Sequence, residues 1–203
     1  MNRFKHFSLY VNHIKQAAQS CLKCYRLAAP LAFIGLMLLL TAQAQNNEDH
    51  ESLSFDLVPA SDAIKMCQQD ASAHVKVFPK EDVRGVDTLD LKASGLPANT
   101  TFAVFLTELP VAPFGAVEYI GDFTTNAAGR GSLRVDAIIE EAFAFNNRTG
   151  ARTDLNHIVF WFADPNADEF CVQGSAPTPF DGDGSAGIAA MSSKNFLPNA
   201  PLP

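Results

Sequence analysis

The fold is decided by residues 87–106, which read DTLDLKASGLPANTTFAVFL. In the first part, Leu89, Leu91 and Ala93 alternate with polar residues, and this period of two is typical of a β-strand with one buried face. Residues 95–99 then form a turn sequence, GLPAN. The stretch that follows, TFAVFL, is apolar at both odd and even positions, which indicates a central strand covered on both sides.

The same two patterns recur along the chain. Apolar and polar residues alternate in residues 74–77 and 132–137. Residues 158–163, IVFWFA, form a second segment that is apolar on both faces. Turn sequences rich in glycine, proline, asparagine and aspartate separate these segments. This order predicts an all-β fold, an antiparallel β-sandwich with one or two short helices over residues 53–194.

The segments between the clearest strands predict one pair of strands, two short helices and an extended tail. Val117–Thr125 and Gly131–Ile138 stand on either side of a short turn and are predicted to pair as a hairpin. Ile138–Phe145 and Gly187–Ser193 fit short helices better than strands. The tail, residues 195–203, carries three prolines and is predicted to run extended over the surface, since proline donates no backbone hydrogen bond.

Residues 1–44 have the organisation of a secretory signal peptide. Five basic and no acidic residues accompany an apolar run, Leu27–Leu40, which ends in the sequence TAQA. Cleavage is therefore predicted between Ala44 and Gln45. A proline shortens the uninterrupted apolar helix to about 15 Å, too short for a bilayer of about 30 Å. An uncleaved anchor formed by Leu27–Ala44 is the alternative.

Charge limits the partners of the mature chain. Of the 15 basic residues, the five in the leader leave with it, so ten remain beside all 22 acidic residues and give a net charge of −12. Such a surface repels phosphate backbones and anionic lipids, which disfavours nucleic acid and, once the signal is cleaved, membrane partners. Residues 45–52 are predicted to form a flexible start. We expect a secreted or periplasmic protein whose partner is a protein or glycan of the cell envelope.

Cysteine positions support an oxidising compartment. Cys21 and Cys24 lie in the leader and are removed with it, whereas Cys67 and Cys171 stay in the mature chain. A disulfide between these two is predicted. In the chain-entropy model, closing so long a loop stabilises the fold by about 4 to 5 kcal/mol.

Residues 181–185, DGDGS, place oxygen-bearing side chains at alternate positions, which is how a calcium-binding loop begins. The pattern then fails, because Ala186 and Ser192 stand where such a loop needs a glycine and a bidentate carboxylate. A plain turn is the favoured interpretation, because a loop rich in aspartate and glycine is more often only a turn. The sequence therefore predicts no cofactor, with Ca²⁺ as the alternative.

The enzyme alternative depends on a small set of residues. The sequence DGSAG around Ser185 resembles a nucleophile elbow, but Asp183 replaces its first glycine. A histidine base would have to come from His50, His74 or His157, and nothing in the spacing brings one to Ser185. A secreted hydrolase or calcium-dependent protein would instead use an acidic cluster built from loops. The members of that cluster are Asp164, Asp168, Asp181 and Asp183.

Two features bear on a binding role. Trp161 stands within an apolar strand and is predicted to be a core aromatic rather than a sugar-binding platform. Residues 110–115, PVAPFG, carry apolar side chains in a loop, which either binds a partner or caps the end of the sandwich, and we favour the cap. Asn99 and Asn147 begin glycosylation sequons in predicted loops and indicate no function by themselves.

Four stretches of the chain carry a resemblance, namely Gly95–Phe102, Pro113–Gly115, Gly121–Asn126 and Pro179–Asp183. They resemble those of uncharacterised secreted bacterial β-sandwich proteins. The resemblance is one of residue pattern over residues 89–196, and it implies a fold but no activity, ligand or catalytic residue. The Gly-Leu-Pro turn followed by an alternating strand is also similar to immunoglobulin-like modules, which implies an immunoglobulin-like antiparallel β-sandwich. A binding or structural role is thus expected, with the loop-built acidic site as the alternative.

Overall fold

A computed structural model describes residues 52–80, 85–180 and 184–203, and for residues 179 and 180 it describes the backbone alone. Several of the predicted features fall outside these ranges. They are the signal peptide 1–44 with its Ala44–Gln45 cleavage position, Cys21, Cys24, nearly all of the start 45–52, His50, Asp181 and Asp183.

The described residues form strands with few helical segments. The strands are β1 (Leu53–Pro59), β2 (Ser72–Phe78), β3 (Asp87–Ser94), β4 (Thr101–Thr107), β5 (Val117–Thr124), β6 (Gly131–Ala137), β7 (Phe143–Asn146), β8 (Ala151–Asp154), β9 (His157–Phe162), β10 (Thr178–Phe180), β11 (Gly184–Ala186) and β12 (Ala189–Ser192). The helical segments are α1 (Asp62–Cys67) and a 3₁₀ turn (Lys194–Phe196).

Eight strands form one antiparallel sheet in the order β5-β4-β9-β12-β1-β2-β3-β6, which confirms the predicted all-β fold. Strand β1 joins the two halves of this sheet: Leu53–Leu57 pair with β2, whereas Val58 and Pro59 pair with β12. The edge strands β5 and β6 approach each other, so the sheet is nearly closed. The eight strands thus belong to one sheet, which curves around the core. Two-stranded sheets β7–β8 and β10–β11 complete the fold.

The alternating residues face the interior, as predicted. Val75, Val77, Leu89 and Leu91 are all fully buried on the inner face of one half of the sheet. In the other half, the rings of Phe102, Phe123 and Phe160 lie 5.2 to 5.4 Å apart in one aromatic group. Both sets belong to a single apolar cluster, so the curved sheet encloses one continuous core.

The predicted hairpin of Val117–Thr125 with Gly131–Ile138 is wrong, because β5 pairs with β4 and β6 pairs with β3. Pairing with β3 places Arg134 against Asp90, with 2.9 Å between the guanidinium and the carboxylate, and such opposite-charge pairs favour a register. The two strands still approach each other at Gly131. A Cβ there would lie 2.5 Å from the Phe123 ring, so only glycine permits this closure.

The two predicted helices are also wrong. Residues 143–146 form β7, and residues 189–192 form β12, which lies between β9 and β1. Ladder pairing on both sides overrides the weak helix preference of the small residues in β12. Among the described residues an α-helix forms at α1, where the Ser61 hydroxyl accepts a hydrogen bond from the Ile64 amide at 3.2 Å and Ile64 is fully buried.

Asp87 holds together two segments that follow different strands. Its carboxylate accepts hydrogen bonds from the backbone amides of Lys80 at 3.1 Å, Ile139 at 2.9 Å and Glu140 at 3.0 Å. The residue is 6 % exposed. These bonds satisfy three backbone donors and fix residues 138–140 as a turn, which explains why no helix starts there.

The predicted disulfide between Cys67 and Cys171 is present, with 5.6 Å between the two Cα atoms. It ties the last residue of α1 to the turn that follows β9. Beyond the 3₁₀ turn, residues 197–203 return to the body, where Leu202 is 3 % exposed and its amide donates to the Asn156 carbonyl.

Candidate functional site

The loop between β4 and β5 is held rigid by its own hydrogen bonds. The amide of Leu109 donates to the Phe114 carbonyl and the amide of Phe114 donates to the Val111 carbonyl, both at 2.9 Å. The Thr107 hydroxyl donates to the Leu109 carbonyl at 2.8 Å, and the Ala116 amide donates to the Glu108 carboxylate at 3.0 Å. A loop with its polar groups satisfied in this way presents a defined shape.

Phe114 anchors this loop to the outer face of the sheet. Its ring meets Trp161 edge to face at 4.8 Å, and Trp161 in turn contacts Phe105 at 5.4 Å. These residues form a second, smaller apolar cluster with Val159. Trp161 is thus buried, as predicted, but outside the main core. The loop lies over the outer face instead of capping the end of the fold, which corrects the favoured interpretation of residues 110–115.

Apolar side chains remain exposed around this anchor. Leu109 and Val111 on the loop are 39 % and 36 % exposed, and Val117 and Tyr119 on β5 are 36 % and 48 % exposed. We call these four residues the β4–β5 surface. Exposed carboxylates of Glu118 and Asp122 stand beside them on β5. An apolar patch with a charged border is typical of a contact surface.

Replacing Phe114 by alanine is expected to release the loop from the sheet. The lost ring contact lowers the free energy of unfolding by about 1 to 2 kcal/mol. Because Trp161 is the chain's one tryptophan, its fluorescence reports this site alone, and its emission moves to longer wavelength as water reaches the ring. Phe143→Ala, on the exposed β7–β8 hairpin, is the control and leaves the emission unchanged. An unchanged emission in Phe114→Ala would show that the loop does not cover Trp161.

The two described members of the acidic cluster have structural contacts. Asp168 is fully buried, and its carboxylate accepts hydrogen bonds from the Ser175 hydroxyl at 3.0 Å and the Ile188 amide at 2.7 Å. Asp164 is exposed and accepts from the Asn166 amide at 2.8 Å. Within the described ranges, no group of three or more histidine, cysteine or acidic residues could hold a metal ion. The calcium alternative thus depends on Asp181 and Asp183.

The structure separates Ser185 from the buried histidine. Ser185 is exposed on β11. His157 instead shares a hydrogen bond with Ser193, with 3.0 Å between Nδ1 and Oγ, and the Ile158 amide also donates to that hydroxyl. Ser193 is fully buried, so this pair joins β9 to the residue after β12 and is not open to a substrate.

Burial of His157 makes stability depend on pH. Loss of water around the imidazole lowers the pKa of His157 below its ordinary 6.5. The unfolded chain therefore takes up a proton at a higher pH than the folded one, so the free energy of unfolding falls as the pH drops below about 6.5, by at most about 1.4 kcal/mol per pH unit. Urea unfolding between about pH 5 and pH 8 measures this slope.

The matched variants for this experiment are His157→Gln and His74→Gln. His157→Gln is expected to flatten the slope just below pH 6.5, where few carboxylates titrate. His74→Gln replaces a half-exposed histidine instead and is the matched control. If His157→Gln changes the slope no more than His74→Gln does, burial of His157 does not govern the acid sensitivity.

A cleft of about 460 Å³ opens on the outer face between β1 and β2. We call it the β1–β2 cleft. Asp56 and His74 stand on one side of it, with 2.7 Å between the carboxylate oxygen and Nδ1. Sequence patterns did not indicate this cleft, because its residues alternate like those of any half-exposed strand.

Comparison with protein-family models, curated proteins and solved structures finds no significant match to this chain. None of the described helices has the length and apolarity that crossing a bilayer requires.

Proposed function

We propose that this is a secreted or periplasmic binding protein that recognises another protein through the β4–β5 surface. The observation that carries the proposal is a loop, held by four hydrogen bonds and by the contact of Phe114 with Trp161, that keeps Leu109 and Val111 exposed to solvent. Folding gains nothing from that exposure, whereas a preformed apolar surface lowers the entropy lost on binding. The signal-like residues 1–44 and the Cys67–Cys171 bridge support the extracytoplasmic location.

The side chains of the surface favour a protein partner over a glycan. Leu109, Val111 and Val117 are aliphatic, and aliphatic groups pack against apolar side chains. Sugar rings instead stack on flat exposed aromatics, and three of the four residues of this surface are aliphatic, with Tyr119 as its one aromatic. The neighbouring carboxylate of Glu118 would add attraction for a partner with basic residues near its apolar contact.

For the architecture, we propose that the two halves of the curved sheet act as the two layers of an immunoglobulin-like sandwich. The change of partner along β1, from β2 to β12 at Val58, supports this arrangement. The shared apolar cluster between the halves supports it as well.

Affinity capture from the extracytoplasmic fraction of the producing cells tests the function. The double variant Leu109→Glu/Val111→Glu should reduce the captured partner at least tenfold, which corresponds to about 1.4 kcal/mol of binding free energy. Met66→Glu/Leu197→Glu is the matched control, because both residues are exposed and apolar but lie elsewhere. Circular dichroism verifies that both variants fold. The proposal is contradicted if the two double variants capture the same amount of the partner, whether or not that amount is lower than with the wild type.

A further inference from the structure

We infer that the β1–β2 cleft is a separate binding site for a small organic carboxylate. The cleft exists because β1 leaves β2 after Leu57 and turns to pair with β12, while β2 continues back to Ser72. Its volume of about 460 Å³ falls within the range of small-molecule sites. The residues of the cleft lie on strands other than those of the β4–β5 surface, so each proposal can be tested without the other.

One wall of the cleft carries a positive charge. Lys92 on β3 lies opposite His74 on β2 in the ladder. His74 pairs with Asp56 at 2.7 Å, so that carboxylate already has a partner. In the part of the chain that the structure describes, no hydrogen bond or ion pair engages the Lys92 ammonium. An anion in the cleft would therefore meet an ammonium group that forms no ion pair with a described carboxylate.

Hydrogen-bonding groups complete the polar side. Because Asp56 engages Nδ1 of His74, Nε2 is the ring atom left to face a ligand. The hydroxyls of Ser72 and Ser94 lie 2.9 Å apart and each keeps capacity for a second hydrogen bond. A carboxylate can accept from several such donors at once.

The remaining wall is apolar. Val58, Pro59 and Ala71 line it, and their small or rigid side chains leave room for a compact hydrocarbon group. A ligand with one carboxylate and a short branched apolar body matches both walls, whereas a bare inorganic anion uses only the polar one.

Titration of the whole protein with isobutyrate, followed by backbone amide NMR shifts, tests the site, and isobutyramide is the neutral probe of the same shape. Isobutyrate should give saturable shifts at residues 56–58, 71–74 and 92–94, with a dissociation constant in the millimolar range. Isobutyramide should bind at least tenfold more weakly. Lys92→Gln should weaken isobutyrate at least tenfold, while Lys65→Gln, an exposed lysine on α1, should not.

Several results would overturn the inference. They are the absence of saturable shifts in the cleft, equal shifts with both probes, and equal binding by Lys92→Gln and the wild type. Loss of binding in Lys65→Gln to the same degree would also overturn it, because the attraction would then come from the general charge of the surface.

Discussion

Replacing Asp87 by alanine is expected to lower the free energy of unfolding by about 3 to 5 kcal/mol. The carboxylate is 6 % exposed and accepts hydrogen bonds from the amides of Lys80, Ile139 and Glu140. Alanine leaves these donors without their partner, and each buried donor that loses its bond costs about 1 to 3 kcal/mol, less where water can enter. Urea unfolding followed by circular dichroism measures the loss.

Asp90→Ala is the matched control for this prediction, because Asp90 lies on the same strand but pairs with the exposed side chain of Arg134. Exposed ion pairs contribute about 1 kcal/mol or less. Asp87→Ala should therefore destabilise the fold by at least about 2 kcal/mol more than Asp90→Ala. Equal losses would mean that water replaces the amide contacts of Asp87.

Removing the disulfide is expected to lower the free energy of unfolding by about 4 to 5 kcal/mol. Cys67 and Cys171 are 104 residues apart, and in the chain-entropy model a loop of this size restricts the unfolded chain by about that amount. The bridge also fixes α1 against the turn after β9, so its loss should expose Ile64 before the rest of the core.

The double variant Cys67→Ala/Cys171→Ala and the reduced wild type should unfold at the same, lower urea concentration. Agreement between them shows that the bond, not the sulfur atoms, provides the stabilisation. A loss below about 1 kcal/mol in both would show that the unfolded chain is already compact enough to gain little from the closed loop.

The strands were predictable because burial of one face leaves a period of two in the sequence. Val75, Leu89 and Leu91 show it, and all three are fully buried. Which strands pair was not predictable, since the alternation is the same whether Gly131–Ala137 pairs with β5 or with β3. The sequence of the short strand Ala189–Ser192 favours a helix, because its environment between two other strands appears only in the tertiary fold.

The candidate sites were predictable only in part. The apolar composition of residues 110–115 identified the loop. Its position over the sheet depends on the contact of Phe114 with Trp161, which lies 47 positions further along the chain. The burial of Asp168 was not foreseen, because its partners Ser175 and Ile188 lie in loops with no regular pattern. The β1–β2 cleft arises from a change of partner along β1, which leaves no mark in composition.

Site-specific photo-crosslinking in the producing cells tests the central claim most directly. A photoreactive phenylalanine replaces Val111 on the β4–β5 surface in one variant and Met66, which is 69 % exposed on α1, in the other. The account predicts a discrete crosslinked protein from position 111 and none from position 66. Crosslinks from both positions to the same proteins, or from neither, would contradict it.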